Sequence, residues 1–219
     1  LESLATAIHR ALDAGAQVIN TSVVSCLDSG TLLDVGPLHA ALHRAEAEGA
    51  VVIAAAGNVS SSCRPGMTVF PAHEDTVLPV AAVHPGDPHA VADYVMPGAG
   101  HISAPGLVEV GLSPAGHGWA SGVVNAQGQE TRFEGTSFAA PVVSGVAALL
   151  RQRHPQESAA QIRARIRQAA EPGHGVVDPL TAITHLAGDY GVEGRGHVVE
   201  KQETPAPRAP ARAAQILGG

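Results

Sequence analysis

Two short stretches carry residue types and spacing suited to acyl transfer. In Gly135-Thr136-Ser137-Phe138-Ala139-Ala140-Pro141 a serine lies just inside the start of the most apolar helical run of the chain. There, free backbone N–H groups and the positive end of the helix dipole stabilise a developing negative charge. Such a place favours a nucleophile. Gly135 permits a tight turn into the helix, and Ala139 and Ala140 leave the surface bare enough for a base or a substrate backbone to approach. Pro141 is expected within the first helical turn, where its missing N–H costs little. The plainer alternative is that Thr136 or Ser137 only caps the helix. The second stretch, Ala54-Ala55-Ala56-Gly57-Asn58, puts a side-chain amide just past the end of an apolar strand. That is where open α/β sheets bind ligands. A tetrahedral intermediate concentrates charge on one oxygen, and removing one preorganised donor costs roughly 10²–10³ in turnover. Taken alone, Gly57-Asn58 reads as a turn; beside Ser137 it reads as an oxyanion donor.

The elements that must position these residues alternate between helix and strand. Residues 3–14 place Leu4, Ile8, Ala11 and Leu12 on one helical face and stop at Gly15. The run 17–24 reads as a buried strand, 37–48 as a second amphipathic helix ended by Gly49, and 51–55 as a second buried strand. Further strands are expected at 77–83 and 101–104, and helices at 138–152, 158–170 (Ile162 and Ile166 inward) and about 179–187. Apolar strands alternating with amphipathic helices predict an α/β fold, a parallel sheet with helices on both faces. From Gly188 the composition shifts to Gly, Glu, Arg and Pro, so the domain is expected to span 1–187 and 188–219 to be a linker or tail.

The 219 residues, 45% of them hydrophobic, are enough for one domain with a sizeable core. A formal charge of −7, only 3% aromatic residues and no Lys/Arg cluster before the tail argue against nucleic acid as a partner. No run approaches the ~18–20 apolar residues of a membrane span, and no charged-then-apolar leader opens the chain. Leu1 is not a methionine, so the chain is expected to be part of something longer.

The stretch 135–141 resembles the nucleophile motif of the subtilisin-like serine proteases, and Ala54 to Asn58 resembles their oxyanion motif. The resemblance implies that Ser137 is acylated by a peptide or protein substrate, with Asn58 and the Ser137 N–H as oxyanion donors. Val18-Ile19-Asn20-Thr21-Ser22 is similar to the strand that runs into the substrate groove of that family. By that likeness Ser22, Val23 and Val24 line the groove, where main-chain hydrogen bonds hold the peptide. Family members commonly carry glycine shortly after the serine. Val23 and Val24 stand here instead, so the groove wall is expected to be bulkier and substrate choice narrower.

Cys26 follows the groove strand and Cys63 follows the Asn58 loop. In a parallel sheet both emerge at one edge, where a disulfide or two unrelated buried cysteines are open alternatives. Asn20 to Cys26 together with Asn58 to Cys63 resembles the mycosins, the subtilisin-like proteases of type VII secretion systems. That likeness implies a Cys26–Cys63 bridge, an extracytoplasmic or cell-envelope location and membrane components of the secretion system as partners. Phe70-Pro71-Ala72, Ser103-Ala104-Pro105-Gly106, Gly111-Leu112-Ser113-Pro114 and Gly175-Val176-Val177-Asp178-Pro179 extend the resemblance in order over about residues 5–187.

The family's catalytic aspartate and histidine lie N-terminal to the helix that opens this chain. No His-Gly-Thr helix start occurs in it, and its Asp-Ser-Gly run, Asp28-Ser29-Gly30, follows the groove strand instead of preceding the opening helix, where the family's motif stands. A serine needs an adjacent base, and the base an orienting carboxylate. Both are therefore expected outside these residues. His73, His84, His89, His101, His117 and His174 read as ordinary loop residues, with His117, in the loop leading to Ser137, the best placed of them to substitute as base. No cluster has transition-metal spacing; no cofactor is expected, and calcium is undetermined. Three readings compete: a serine endopeptidase completed from outside this chain, a subtilase remnant acting as a structural or binding module, and an unrelated acyl-transfer hydrolase with the same loop-helix serine, which the collinear motifs disfavour.

Overall fold

Val51–Ala55 is buried at every position, the mark of a strand covered on both faces. It is the centre around which the rest assembles. The computed structural model describes residues 1–31, 34–98, 102–112, 118–124, 128–170, 175–177, 181 and 213–216. In chain order these form α1 (Glu2–Asp13), β1 (Val18–Thr21), β2 (Ser25–Leu27), α2 (Gly36–Ala47), β3 (Val51–Ala55), β4 (Thr68–Phe70), β5 (Val77–His84), β6 (Asp87–Val91), β7 (Ile102–Pro105), β8 (Leu107–Val108), β9 (Gly111–Leu112), β10 (Trp119–Ala120), β11 (Gly122–Val124), β12 (Glu130–Glu134), α3 (Thr136–Arg153), α4 (Ala159–Gln168) and β13 (Ala213–Ile216).

β1, β3, β5 and β7 pair in parallel in that spatial order, as the alternation of strand and helix required. The period of two along each strand divides the core. Val18, Val51, Ile53, Leu78 and Val80 face α3 and α4. Ile19, Val52, Ala54 and Val77 face α1 and α2. Helices thus cover both faces, as expected. α4 starts on a capping box, in which Ser158 Oγ accepts from the Gln161 N–H and Gln161 Oε1 accepts from the Ser158 N–H. Ile162 and Ile166 point inward and are fully buried.

The structure departs from the sequence expectation at several places. The strand expected over 17–24 leaves the ladder after Thr21, and Ser25–Leu27 pairs instead, antiparallel, with β4. α3 begins at Thr136, so Pro141 is its sixth residue, in the helix interior and not in its first turn. Within the stretch expected to be linker or tail, Ala213–Ile216 pairs in parallel with the outer edge of β1, satisfying backbone groups that an open edge would leave unpaired. Within 107–134 the described residues form short antiparallel ladders, β9 with β10 and β11 with β12 and β8. The helix expected at 179–187 lies outside the described residues, apart from Thr181.

Candidate active site

β3 and α3 bring the two chemical stretches together. Past the end of β3 the chain turns at Gly57 (φ 97°), and a Cβ there would meet Val69 at 3.1 Å and Met96 at 3.2 Å. The turn is held from the far side, where the Met96 N–H donates to the Gly57 carbonyl and the Val59 N–H to the Tyr94 carbonyl. Asn58 is thereby presented to the start of α3. There the Thr136 N–H donates to Asn58 Oδ1 at 3.1 Å and Thr136 Oγ1 donates to the same oxygen at 2.9 Å. The Thr136 hydroxyl in turn accepts from the Gly57 N–H at 3.1 Å. A backbone N–H can only donate, so the atom facing Thr136 is the amide oxygen, and Asn58 Nδ2 is left as a donor.

Gly135 makes this approach possible. Its φ of 149° lies where side chains are disfavoured, and a Cβ there would stand 2.7 Å from Asn58 Nδ2. The Gly135 N–H donates to the Gly106 carbonyl at the end of β7. Phe133 and Phe138, whose ring centroids lie 5.8 Å apart, pack across the junction of β12 and α3.

Ser137 is the second residue of α3, so its own N–H precedes the first intrahelical bonds. The structure records no hydrogen bond from that N–H among the described residues. Ser137 Oγ donates to the Ser22 carbonyl at 3.0 Å. In return Ser22 Oγ donates to the Ser137 carbonyl at 2.8 Å. That carbonyl is the one an N–H at position 141 would have taken, and Pro141 has none.

Ser137 and Asn58 line one cleft of about 570 Å³ together with Val24, Cys26, Leu27, Ser60, Cys63 and Thr136 among others. Two donors, Asn58 Nδ2 and the Ser137 N–H, are thus unspent beside one hydroxyl, an arrangement able to hold a carbonyl oxygen that gains charge. Cys26 and Cys63 are joined by a disulfide with Cα atoms 5.2 Å apart, tying β2 to the loop after Asn58 at the cleft wall. Val24 lines the cleft and also packs against both cores. Val23 is half-buried and does not line it. Ser22 is engaged with Ser137.

The histidines are placed elsewhere or lie outside the described residues. Among the described residues lining the cleft there is none. His73 borders a separate depression of about 180 Å³ with Met67 and Pro97, and His84 accepts from the Gly86 N–H at the β5–β6 turn. His89 lies in β6. His101, His117 and His174 fall outside the described residues. Tyr94 approaches from below: its hydroxyl would be 3.3 Å from a Cβ at Gly106. Burial, with a smaller contribution from the Glu134 charge, pushes Tyr94 up to about 12, so it stays protonated and is no base at neutral pH. Among the described residues no three His, Cys, Asp or Glu come together as a metal site, and no helix is long and apolar enough to cross a membrane.

A serine at the N-terminus of a core helix and an asparagine beyond the end of a parallel strand thus meet in one cleft of an α/β protein whose parallel sheet is covered on both faces. The chain belongs to the Subtilase family, whose model (Peptidase_S8) matches residues 1–199. It is a subtilase close to the mycosins. It is 36% identical over 215 residues to mycosin-5 of Mycobacterium tuberculosis, covering 84% of this chain and 37% of that protein. A crystal structure of MycP1 with the N-terminal propeptide removed superposes with a TM-score of 0.77 at 31% identity, covering 86% of this chain and 68% of that one. A chain in the structure of an intact ESX-5 inner membrane complex superposes at 0.78 and 33% identity, covering 95% and 54%. The chain spans less than half the length of each of the mycosins it matches.

From the sequence Ser137, Asn58 and the groove residues stand out, whereas Thr136 reads only as a cap, Asn20 only as part of the groove strand and Ser144 as nothing in particular, although all three are buried and polar. The available signal was a polar residue in an otherwise apolar strand (Asn20) and in an apolar helix (Ser144), since a buried polar side chain is the informative exception.

Proposed function

We propose that this chain is the nucleophile-bearing part of a subtilisin-like serine endopeptidase. Ser137 attacks the scissile carbonyl and is acylated, while Asn58 Nδ2 and the Ser137 N–H receive the oxyanion. A histidine base and its orienting carboxylate come from residues outside this chain. The observation that carries the reading is the convergence of Ser137 Oγ and the unspent Asn58 amide on one cleft. The hydroxyl proton is held by the Ser22 carbonyl, so the base must draw Ser137 away from that acceptor before attack. Among the described residues Val23 and Val24 lie outside every ladder, which leaves their backbone groups for an extended peptide. The valine side chain in the cleft wall narrows the choice of substrate. The route uses a hydroxyl, an amide and a proton acceptor and asks for no cofactor.

A second reading is a catalytically silent subtilase serving as a structural module. Its support is the likeness to a chain of an intact ESX-5 inner membrane complex, which bears on assembly and is shared by the peptidase reading. Either reading places the protein outside the cytoplasm, with membrane components of a type VII secretion system as partners. Labelling of the full-length protein with a fluorophosphonate separates the two. Modification at Ser137, abolished by Ser137→Ala and accompanied by peptide turnover, is the peptidase outcome. An unreactive Ser137 in a folded full-length protein leaves the structural module.

A further inference from the structure

A chain of polar side chains runs beneath the serine, and none of its inner members reaches the cleft. Ser22 Oγ donates to the Ser137 carbonyl at 2.8 Å. A carbonyl can only accept, so the single Ser22 hydrogen is committed there. Ser22 Oγ must then accept from Asn20, 3.0 Å away, which identifies the facing Asn20 atom as Nδ2. Asn20 Oδ1 is left toward Ser144, whose hydroxyl lies 3.1 Å from it and 3.0 Å from the Ala140 carbonyl and shares its hydrogen between them. Asn20 and Ser144 are each 6% exposed, so water does not readily replace a lost partner. The direction of every bond follows from the acceptor at the end of the chain.

We propose that Asn20 is a positioning residue for Ser137, acting through Ser22; the inference rests on Ser137 being the acylated nucleophile. Pro141 removes the usual restraint on the Ser137 carbonyl, and the first turn of α3 is free to tilt unless something else holds it. Asn20, anchored by Ser144 about two helical turns beyond Ser137, fixes the Ser22 hydroxyl, and that hydroxyl fixes the carbonyl. The Ser137 N–H and Oγ, joined to that carbonyl through the Ser137 Cα, stay aimed at the cleft. Asn20 itself touches no substrate.

The test measures fluorophosphonate labelling of Ser137 and peptide turnover in the full-length protein. Asn20→Ala is expected to slow labelling about 10-fold, the scale of one or two hydrogen bonds expressed in a rate. The kcat for a peptide should fall with it and KM should hold. Ser144→Ala, a gentler change, is expected to give a smaller loss of the same kind and serves if Asn20→Ala does not fold. In a Ser22→Ala background the Asn20→Ala change should have no further effect, because the relay is already cut. Parental labelling rates in both Asn20→Ala and Ser144→Ala, or losses that add to that of Ser22→Ala and track the melting temperature, overturn the proposal and leave the peptidase reading standing. A parent protein whose Ser137 is never labelled removes the reading itself.

Discussion

Ser22 and Ser137 exchange hydrogen bonds in both directions, hydroxyl to carbonyl each way, at 2.8 and 3.0 Å. The exchange welds the end of β1 to the first turn of α3 across 115 residues of sequence. It exists because Pro141, four residues beyond Ser137, cannot donate to the carbonyl that Ser22 takes. A helix defect and a strand end compensate one another at the point where a nucleophile would stand.

Ser22→Ala should therefore cost about 1–3 kcal/mol, the penalty of a half-buried carbonyl left without a donor. In a Pro141→Ala background residue 141 regains an N–H for that carbonyl, and the same change should cost about 1 kcal/mol less, the Asn20 amide losing its acceptor in both backgrounds. Urea unfolding of the four proteins measures the difference. Equal costs in the two backgrounds would show that Ser22 does not substitute for the missing helix bond.

Gly135→Ala introduces a Cβ 2.7 Å from Asn58 Nδ2 at a φ of 149°. The backbone strain alone is on the order of 1–3 kcal/mol, and relief requires Asn58 to move. Both the melting temperature and the labelling of Ser137 should fall. A variant that keeps its labelling rate would mean the Asn58 amide plays no part in it.

Thr136→Val keeps the shape of a residue only 1% exposed and removes one hydroxyl. That hydroxyl serves the Gly57 N–H and Asn58 Oδ1 together, so the loss leaves a buried donor unpaired. The expected destabilisation is about 1–3 kcal/mol. Turnover should fall as well, through a looser Asn58. A stable, fully active variant would make Thr136 a helix residue and no more.

The fold was legible where burial makes a run. Val51–Ala55 came out of the sequence with its observed bounds, and the alternation with α1 and α2 was enough to predict a parallel sheet. What could not be read were pairings decided by distant partners. Ser25–Leu27 is a strand only because β4 lies beside it, and the two-residue strands of 107–112 are shorter than any period can register. Within the site, Ser137 and Asn58 stood out because acyl transfer needs their groups at element ends. Thr136 looked like an ordinary cap, although its hydroxyl joins the two loops. Pro141 was expected to be harmless in a first turn; α3 starts two residues earlier than the pattern suggested, and the proline falls where it frees a carbonyl.

Glu157 couples stability to acid. The hydrogen bond from the Arg165 guanidinium, first among several causes, holds its carboxyl below the usual glutamate range against the opposing effect of burial. A depressed folded value means the contribution is complete above about pH 4.3, the unfolded value, and lost as pH falls through the folded one. Glu157→Gln should lower the melting temperature at neutral pH, and its gap from the parent should close as the pH is taken below 4. A gap that persists at low pH would assign the effect to packing of α4, not to charge.

Reduction of the Cys26–Cys63 bridge separates the cleft wall from Ser137 and Asn58, the residues proposed to carry acylation. The bond closes a sequence separation of 37 residues, for which chain entropy alone gives about 3–4 kcal/mol. Reductant, or Cys26→Ser with Cys63→Ser, should lower the melting temperature accordingly. Asn58 is held to α3 by Thr136, and Ser137 to β1 by Ser22, and neither tie passes through sulfur. A small fluorophosphonate should therefore label Ser137 at near the parental rate at temperatures where the reduced protein remains folded. A peptide long enough to touch the wall formed by Cys26, Leu27 and Cys63 should lose KM first. Were labelling and peptide turnover to fall together on reduction, the bridge would be holding the nucleophile itself, and the independence of the two halves of the cleft would be wrong.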